Sequence, residues 1–174
     1  RNSFTAHDWG FAHVPNRFQA RIPLPRGKVV GGSSAVNTCI ALRGQPEDYN
    51  EWGMPEWTWE HCLPVLRRLE NDLDYGNTDV HGGEGPVKIR RHPESEWTPW
   101  QQAFVEGCLE VGYGECDDTN SPGSHGVGPH AMNKVDGQRM SAALAYLTPE
   151  VRARPNLTIL PETHVRYVKF EGVR

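Results

Sequence analysis

Glycine and proline interrupt this sequence so often that few stretches remain long enough for a regular helix or strand. The chain has 174 residues, of which 18 are glycine and 14 are proline, and 37% of the residues are hydrophobic. A chain of this length can bury one ordinary core or parts of two, but frequent glycine and proline mark turns and loops. The sequence therefore predicts a loop-rich α+β structure with a thin core.

The charge and hydropathy of the chain argue against several classes of partner. The formal net charge is -4, so a broad basic face for nucleic acid or an anionic membrane is not expected. We interpret Arg67, Arg68, Arg90 and Arg91 as solvated surface groups. No run is apolar enough to cross a bilayer, and residues 1–10 lack the pattern of a signal peptide. These features predict a soluble, cytoplasmic chain without a nucleic-acid partner.

The cysteines and histidines form no familiar disulfide or metal pattern. Reduced and mostly buried thiols are predicted for the four irregularly spaced cysteines, Cys39, Cys62, Cys108 and Cys116. His125 and His130 lie close together in the sequence, but a third ligand at a familiar spacing is missing. No metal site is predicted.

Capping residues and apolar spacing predict four helices. Pro46, followed by two acidic residues, is typical of a first helical turn. Thr58 can cap a longer helix in which leucines recur every three residues, and Thr98 opens another with apolar residues at spacings of three and four. Gly112 suits the end of that helix. The segment SAALAYL, which begins at Ser141, also reads as a helix.

Three further segments have distinct patterns. Residues 85–91, GPVKIRR, alternate apolar and basic side chains, which predicts a strand with one solvated face. Residues 114–130 are rich in Gly, Ser, Asp and Asn, which indicates a long excursion at the surface. The segments LTIL, 157–160, and HVRYVKF, 164–170, predict two short strands that meet at a turn.

The segment that carries chemistry begins with Gly31, Gly32, Ser33 and Ser34. Glycines let the backbone approach a ligand closely, and a helix that begins there adds the positive end of its dipole. We predict a tight turn followed by a short serine-capped helix, which suits a phosphate or the edge of a flavin. By itself this pattern fits a serine-capped turn without a ligand equally well.

The neighbours of these residues decide between the two interpretations. The run GKVVGGSSAVNTCIALRGQPEDYN, residues 27–50, resembles the first signature of the glucose-methanol-choline (GMC) oxidoreductases over its whole length. The matching positions are Gly27, Lys28, Val30, Gly31, Gly32, Ser33, Ser34, Val36, Asn37, Ala41, Gly44 and Asn50. DWGFAHVP before the run and GEGPVKI, GQRMSAALAYL and RPNLTIL after it are similar to family landmarks in the same order. The resemblance thus covers nearly the whole chain.

The resemblance implies that the chain is part of an FAD-binding fold of mixed α+β and α/β character, with the start of a substrate domain. Residues 1–80 and 136–174 would belong to the FAD-binding part, and residues 81–135 to the substrate domain or an insertion. The family's G-x-G-x-x-G unit and its C-terminal histidine segment have no match here. The implied partner is therefore the remainder of the same polypeptide, or complementary fragments, and the segment alone would be inactive.

The resemblance also assigns contacts with FAD. Gly31, Gly32 and Ser33 would lie by the phosphates and the ribityl chain, and Val30 beside them. Asn37, Thr38, Cys39 and Ile40 would approach the isoalloxazine ring. Val165 would touch adenine through its backbone. Some family members attach FAD to a histidine at the position of Val36, so non-covalent FAD is expected here.

The implied reaction is oxidation of a small alcohol to an aldehyde or ketone by hydride transfer to the flavin, with oxygen or a quinone-type acceptor taking the electrons. None of the eight histidines matches a catalytic position of the family, so no catalytic residue is predicted. Two other functions remain open at this stage: an FAD-containing lyase, and a flavin-free interaction module derived from the fold.

Overall fold

Short elements joined by long loops make up the structure, which we describe from a computed structural model over residues 6–172. Within these residues the helices are α1 (Pro46–Asn50), α2 (Trp59–Leu69), α3 (Pro99–Glu110), α4 (Ala142–Tyr146) and α5 (Pro149–Arg152). The strands are β1 (Ala12–His13), β2 (Ile22–Pro23), β3 (Glu70–Asp72), β4 (Val87–Ile89), β5 (Lys134–Val135) and β6 (Gln138–Arg139). This loop-rich mixture of helix and strand confirms the predicted α+β class.

The strands pair in three two-stranded sheets. β1 and β2 are antiparallel, as are β5 and β6, which form a hairpin. β3 and β4 are parallel, with Glu70 opposite Val87. Within β4, Ile89 is buried and Lys88 is exposed, which confirms the predicted strand with one solvated face.

The helix predictions that rest on local capping are confirmed. Thr58 is the N-cap residue of α2, and Thr98 forms a reciprocal capping box with Gln101 at the start of α3. Ser141 caps α4 by accepting a hydrogen bond from the backbone N–H of Leu144. Gly112 follows α3 with a φ of 94°. The caps of Thr98 and Ser141 are contacts over three residues, so they can be predicted without a fold, whereas Thr58 takes the N-cap position without a side-chain capping bond.

Two predicted elements differ from the structure. The turn after Gly31 continues only as a 3₁₀ turn over Gly32–Ala35, and its N-cap is Gly31 rather than a serine. The predicted strands at 157–160 and 164–170 are absent, and residues 157–172 contain no strand at all. Their large side chains are exposed, for example Phe170 at 85%. A strand needs a neighbouring backbone to accept its hydrogen bonds, and the described part of the chain offers none there.

The core is thin, as predicted, and more polar than expected. The buried hydrophobic residues are Cys39, Ile89, Cys116, Ala131 and Ala145, whereas the buried polar residues are Glu70, Asp72, His81, Arg91, Asn120, Asn133 and Ser141. All four cysteines are free thiols, two buried and two half-buried, in line with the prediction. No helix within residues 6–172 has both the length and the apolar character to cross a membrane.

One surface prediction holds only in part and another is wrong. Residues 114–130 contain no helix or strand and are mostly exposed or half-buried, as expected for a surface excursion, but two of them, Cys116 and Asn120, are buried at 7% and 3% exposure. Arg91 is only 6% exposed and lies among carboxylates, while Arg68 is exposed as predicted. Conversely, the apolar face of α3 is open in the described structure, with Trp100 at 86% exposure.

Candidate cofactor-binding loop

The turn at Gly31 and Gly32 has a backbone shape that favours glycine. The φ angles of these two residues are 95° and 58°, in the left-handed region that costs other residues about 1–2 kcal/mol. A Cβ added to Gly32 would meet no atom within 4 Å. The chain therefore folds sharply here and leaves open space beside the second glycine.

The start of α4 lies against this turn and holds it in place. The Ser34 hydroxyl donates a hydrogen bond to the Gly31 carbonyl at 2.5 Å and accepts one from the Ala142 N–H at 2.9 Å. A Cβ added to Gly31 would lie 3.0 Å from the Cβ of Ala143. Ser34 thus fastens the turn to α4 rather than capping a helix of its own.

The next residues are held on one side by the segment 131–133. The Cys39 carbonyl accepts a hydrogen bond from the Asn133 N–H at 2.8 Å, and the Ala41 N–H donates one to the Ala131 carbonyl at 2.8 Å. Cys39 is 5% exposed and has a φ of 65°, a strained conformation for a residue with a side chain. This loop geometry is therefore maintained by surrounding contacts.

Asn120 holds the same segment on its other side. Its side-chain Nδ2 donates to the Ala41 carbonyl at 2.8 Å, and its Oδ1 accepts from the Arg43 N–H at 3.0 Å. Asn120 is 3% exposed. A residue of the segment 114–130 therefore bonds to the backbone of both Ala41 and Arg43.

The structure brings eight of the nine predicted cofactor residues together on one loop, from Val30 to Ile40. Its exposed members are Val30, Ser33, Asn37, Thr38 and Ile40, while Gly31 and Gly32 are half-buried and Cys39 is buried. Open space beside a left-handed glycine, two exposed hydroxyl groups and one exposed amide suit a ligand rich in hydrogen-bond acceptors. The loop thus fits a phosphate or a flavin edge.

Val165 lies in a separate segment. It is 72% exposed and belongs to no strand. The ring of its neighbour His164 lies 4.9 Å from that of Trp9, and the Lys28 Nζ lies 5.1 Å from the same Trp9 ring. The C-terminal segment therefore runs beside the entry to the loop, and contact between Val165 and adenine stays a prediction.

A buried ion-pair cluster lies behind the loop and joins distant parts of the chain. Arg43, three residues after the loop, pairs with Glu70 of β3. His81 places its Nδ1 3.0 Å from Glu70 Oε1 and its Nε2 2.8 Å from Asp118 Oδ2. The Arg91 guanidinium contacts Asp72 at 2.9 Å and Asp118 at 2.5 Å. The cluster therefore connects the loop, the parallel strand pair and residues 114–130.

The cluster changes the protonation of its members. Burial by itself would lower the pKa of His81, but hydrogen bonds to Asp118 and Glu70 outweigh burial and raise this pKa from 6.5 to about 9. Burial would raise the pKa of Asp118, but hydrogen bonds from His81, Ser121 and the Asn120 N–H hold it below its ordinary value. His81 is therefore an imidazolium at neutral pH.

Three members of this cluster could in principle bind a metal ion. Glu70, Asp72 and His81 each offer a ligand atom, and these atoms lie within 4.8 Å of one another. However, Arg43 and Arg91 already contact the two carboxylates. Paired in this way, the charges of the buried groups balance without a metal, so the chemistry is that of a structural ion-pair network. Because its members are scattered between residues 43 and 118, spacing in the sequence gave no signal for it.

Another residue that sequence reasoning missed is Arg139 of β6. Its Nη1 contacts the Asn37 Oδ1 and lies 3.3 Å from the Ser34 carbonyl oxygen. The available signal was its place in GQRMSAALAYL, one of the segments that resembles the GMC family.

Comparisons with known proteins agree with this geometry. The family model for GMC oxidoreductase matches residues 11–174. The oxygen-dependent choline dehydrogenase of Staphylococcus xylosus is 37% identical over 173 residues, which are 95% of this chain and 30% of the relative. The chain matches pyridoxine 4-oxidase from Mesorbium loti with 35% identity and a TM-score of 0.86, covering 96% of this chain and 34% of that one. For formate oxidase of Aspergillus oryzae RIB40 the identity is 25% and the TM-score 0.72, with coverage of 94% and 30%.

The match extends along almost the whole chain, whereas the chain spans only about 30% of the length of the curated relatives. The sequence signature, the shape of the loop and the likeness to solved structures agree with one another, and the relatives are FAD-dependent. This chain, part of the FAD-binding fold, therefore belongs to the GMC oxidoreductase family.

Proposed function

We propose that the protein carrying this chain oxidises the CH–OH group of an alcohol to an aldehyde or ketone with FAD. The observation that carries the proposal is the loop from Val30 to Ile40, where two successive glycines are left-handed and the second, Gly32, lies beside open space, in a chain of an FAD-dependent family. When bound, FAD supplies the hydride acceptor. The segment alone is inactive in this proposal, because the remainder of the polypeptide contributes to the same site.

In this proposal different residues of the loop contact different parts of FAD. Gly31 and Gly32 permit close approach of the backbone to the phosphates, and the exposed Ser33 hydroxyl can hydrogen-bond to the ribityl chain. Further along, the exposed Asn37 and Thr38 present an amide and a hydroxyl to the ring. None of these side chains is assigned the removal of the substrate proton.

FAD is held without a covalent bond in this proposal. The side chain of Val36 is a hydrocarbon and cannot form a bond to the flavin. Denaturation should therefore release all of the flavin into solution, and colour that stays with the denatured chain would contradict this part of the proposal.

The relatives suggest substrates for a first test. Their names describe them as acting on choline and pyridoxine, and both molecules carry a primary alcohol. Oxygen or a quinone-type compound would then take the electrons. We assign residues 1–80 and 136–174 to the FAD-binding part and residues 81–135 to the substrate part.

The test uses the full-length protein that carries this chain. A flavin absorption spectrum that is bleached by choline or pyridoxine without oxygen, and restored by an electron acceptor, is the expected result. A flavin spectrum that no alcohol bleaches would argue against oxidation of alcohols. A colourless folded protein would contradict FAD binding altogether.

A matched pair of glycine variants tests the loop itself. Gly32→Ala and Gly53→Ala replace glycines with φ angles of 58° and 65°, and an added Cβ meets nothing within 4 Å at either position. Both should cost about 1 kcal/mol of stability. Only Gly32→Ala should weaken FAD binding, by about tenfold or more, or about 1.4 kcal/mol, since the ligand fills the open space there. Equal FAD affinity in the two variants would refute the placement.

A further inference from the structure

An arginine at the end of the hairpin of β5 and β6 contacts the candidate cofactor loop. Arg139, the last residue of β6, reaches the Ser34 carbonyl oxygen at 3.3 Å and contacts the Asn37 Oδ1 with the same Nη1. The two contacted residues lie on either side of the end of the 3₁₀ turn. Arg139 therefore bridges the phosphate end and the ring end of the loop.

The contact determines which way the Asn37 amide points. Its Oδ1 also accepts a hydrogen bond from the Cys39 N–H at 3.0 Å, so two donors converge on one oxygen. Rotating the amide by half a turn would place its NH2 group against these donors, and an amide nitrogen cannot accept a hydrogen bond. The Asn37 NH2 group is thus the part left to donate to an acceptor outside the loop.

The position of Arg139 is itself fixed by hydrogen bonds to the loop. Asn133 donates its backbone N–H to the Cys39 carbonyl at 2.8 Å and its side-chain Nδ2 to the Met140 carbonyl at 2.9 Å. The Met140 N–H donates in turn to the Asn133 carbonyl at 2.8 Å. One buried asparagine therefore sets the distance between Cys39 and the end of the hairpin.

The charge of Arg139 is not neutralised by the described chain. No aspartate or glutamate of residues 6–172 forms an ion pair with it, in contrast to Arg43 and Arg91 in the buried cluster. The side chain is half-buried. A cation in such a place stabilises nearby negative charge more strongly than one in bulk water.

We propose that Arg139 is a positioning residue for FAD that holds the Asn37 amide with its NH2 group towards the ring, while its charge stabilises the reduced, negatively charged flavin. The inference rests on the proposed function. It concerns a residue outside the signature loop, and it predicts an effect on the redox equilibrium of the flavin as well as on its binding.

The experiment compares FAD-loaded full-length protein with the variants Arg139→Met, Arg139→Lys and Asn37→Ala. Arg154→Met is the control, since it removes the same charge from an exposed position. The measured quantities are the dissociation constant of FAD and the two-electron reduction potential, determined by equilibration with a reference dye. Neither measurement depends on turnover.

Arg139→Met should weaken FAD binding and shift the balance between oxidised and reduced flavin about tenfold towards the oxidised form, a fall in potential of about 30 mV. Arg139→Lys should recover most of the potential, because it restores the charge, and less of the affinity. Asn37→Ala should weaken FAD binding. Combining it with Arg139→Met should reduce the FAD affinity little further, because the two residues act as a unit. The control should behave as the wild type.

A merely structural role for Arg139 would lower stability and leave the potential unchanged, which would overturn the inference. If Arg139→Met does not fold, the folded Asn37→Ala and Arg139→Lys variants decide, since wild-type affinity and potential in both would also overturn it. In these cases the flavin spectrum of the wild type would still support the proposed function. A wild type without flavin would instead refute the proposed function.

Discussion

Because of the buried His81, the stability of the protein should fall as the pH becomes alkaline. Its two ring nitrogens contact Glu70 and Asp118 at 3.0 and 2.8 Å, and these contacts raise its pKa from 6.5 to about 9. Each pKa unit corresponds to about 1.4 kcal/mol, so the protonated imidazole contributes about 3 kcal/mol to the free energy of unfolding. This is a large part of the stability of an ordinary domain, about 5–15 kcal/mol.

The direction of the effect follows from the order of the two pKa values. Because the folded-state pKa lies above the unfolded one, the contribution is fully present below about pH 6.5 and is lost as the pH rises through about 9. The depressed pKa of Asp118 comes in part from the same contact with His81, so the two effects are not added. At low pH the Asp118 carboxylate becomes protonated and its contacts with the charged groups are lost, which should destabilise the protein.

Urea unfolding at a series of pH values measures this dependence. The wild-type free energy of unfolding should fall by about 3 kcal/mol between about pH 6 and pH 10, whereas His81→Gln should start about 3 kcal/mol lower and lack this fall. His130→Gln replaces an exposed histidine and serves as the control. The reasoning is refuted if the wild-type free energy is flat over this range, or if His81→Gln keeps the same slope.

Two further variants test how the loop is supported. Asn120→Ala removes the hydrogen bonds to the Ala41 carbonyl and the Arg43 N–H and should cost about 3 kcal/mol in urea unfolding, while the exposed Asn156→Ala should cost almost nothing; similar values for both would contradict a supporting role. Cys39→Val places a β-branched side chain at a φ of 65° and should destabilise the protein by about 1–3 kcal/mol more than Cys116→Val, which makes the same change at another buried thiol. Equal thermal unfolding of these two variants would show that the left-handed backbone carries no cost.

Local patterns predicted the elements whose contacts are local. Thr58, Thr98 and Ser141 begin helices where capping chemistry places them, because a cap involves residues only two or three positions apart. The strand at residues 87–89 followed from alternation, since the period of two reflects one buried face. The strands expected after residue 156 failed for the opposite reason. Their apolar residues are suited to a sheet, but pairing needs a second backbone from elsewhere in the fold.

The candidate cofactor loop could likewise be predicted only in part from local sequence. Its glycines and small polar residues are contiguous, so the signature over residues 27–50 identified it without any structure. The groups that hold the loop in shape are not contiguous with it. Asn120 and Arg139 lie 77 and 102 residues from their respective partners Arg43 and Asn37, and no sequence period links positions so far apart.

The sequence by itself determined the family, the α+β class, the starts of α1 to α4 and the loop from Val30 to Ile40, because each is encoded in neighbouring residues. Only the tertiary structure decided that His81, Arg91 and Asp118 are buried together and that Arg139 meets Asn37. Burial of a charged group is favourable only when opposite charges from distant segments arrive at the same point. That condition depends on the path of the whole chain, so the protonation of His81 and the orientation of the Asn37 amide could be established only from the folded structure.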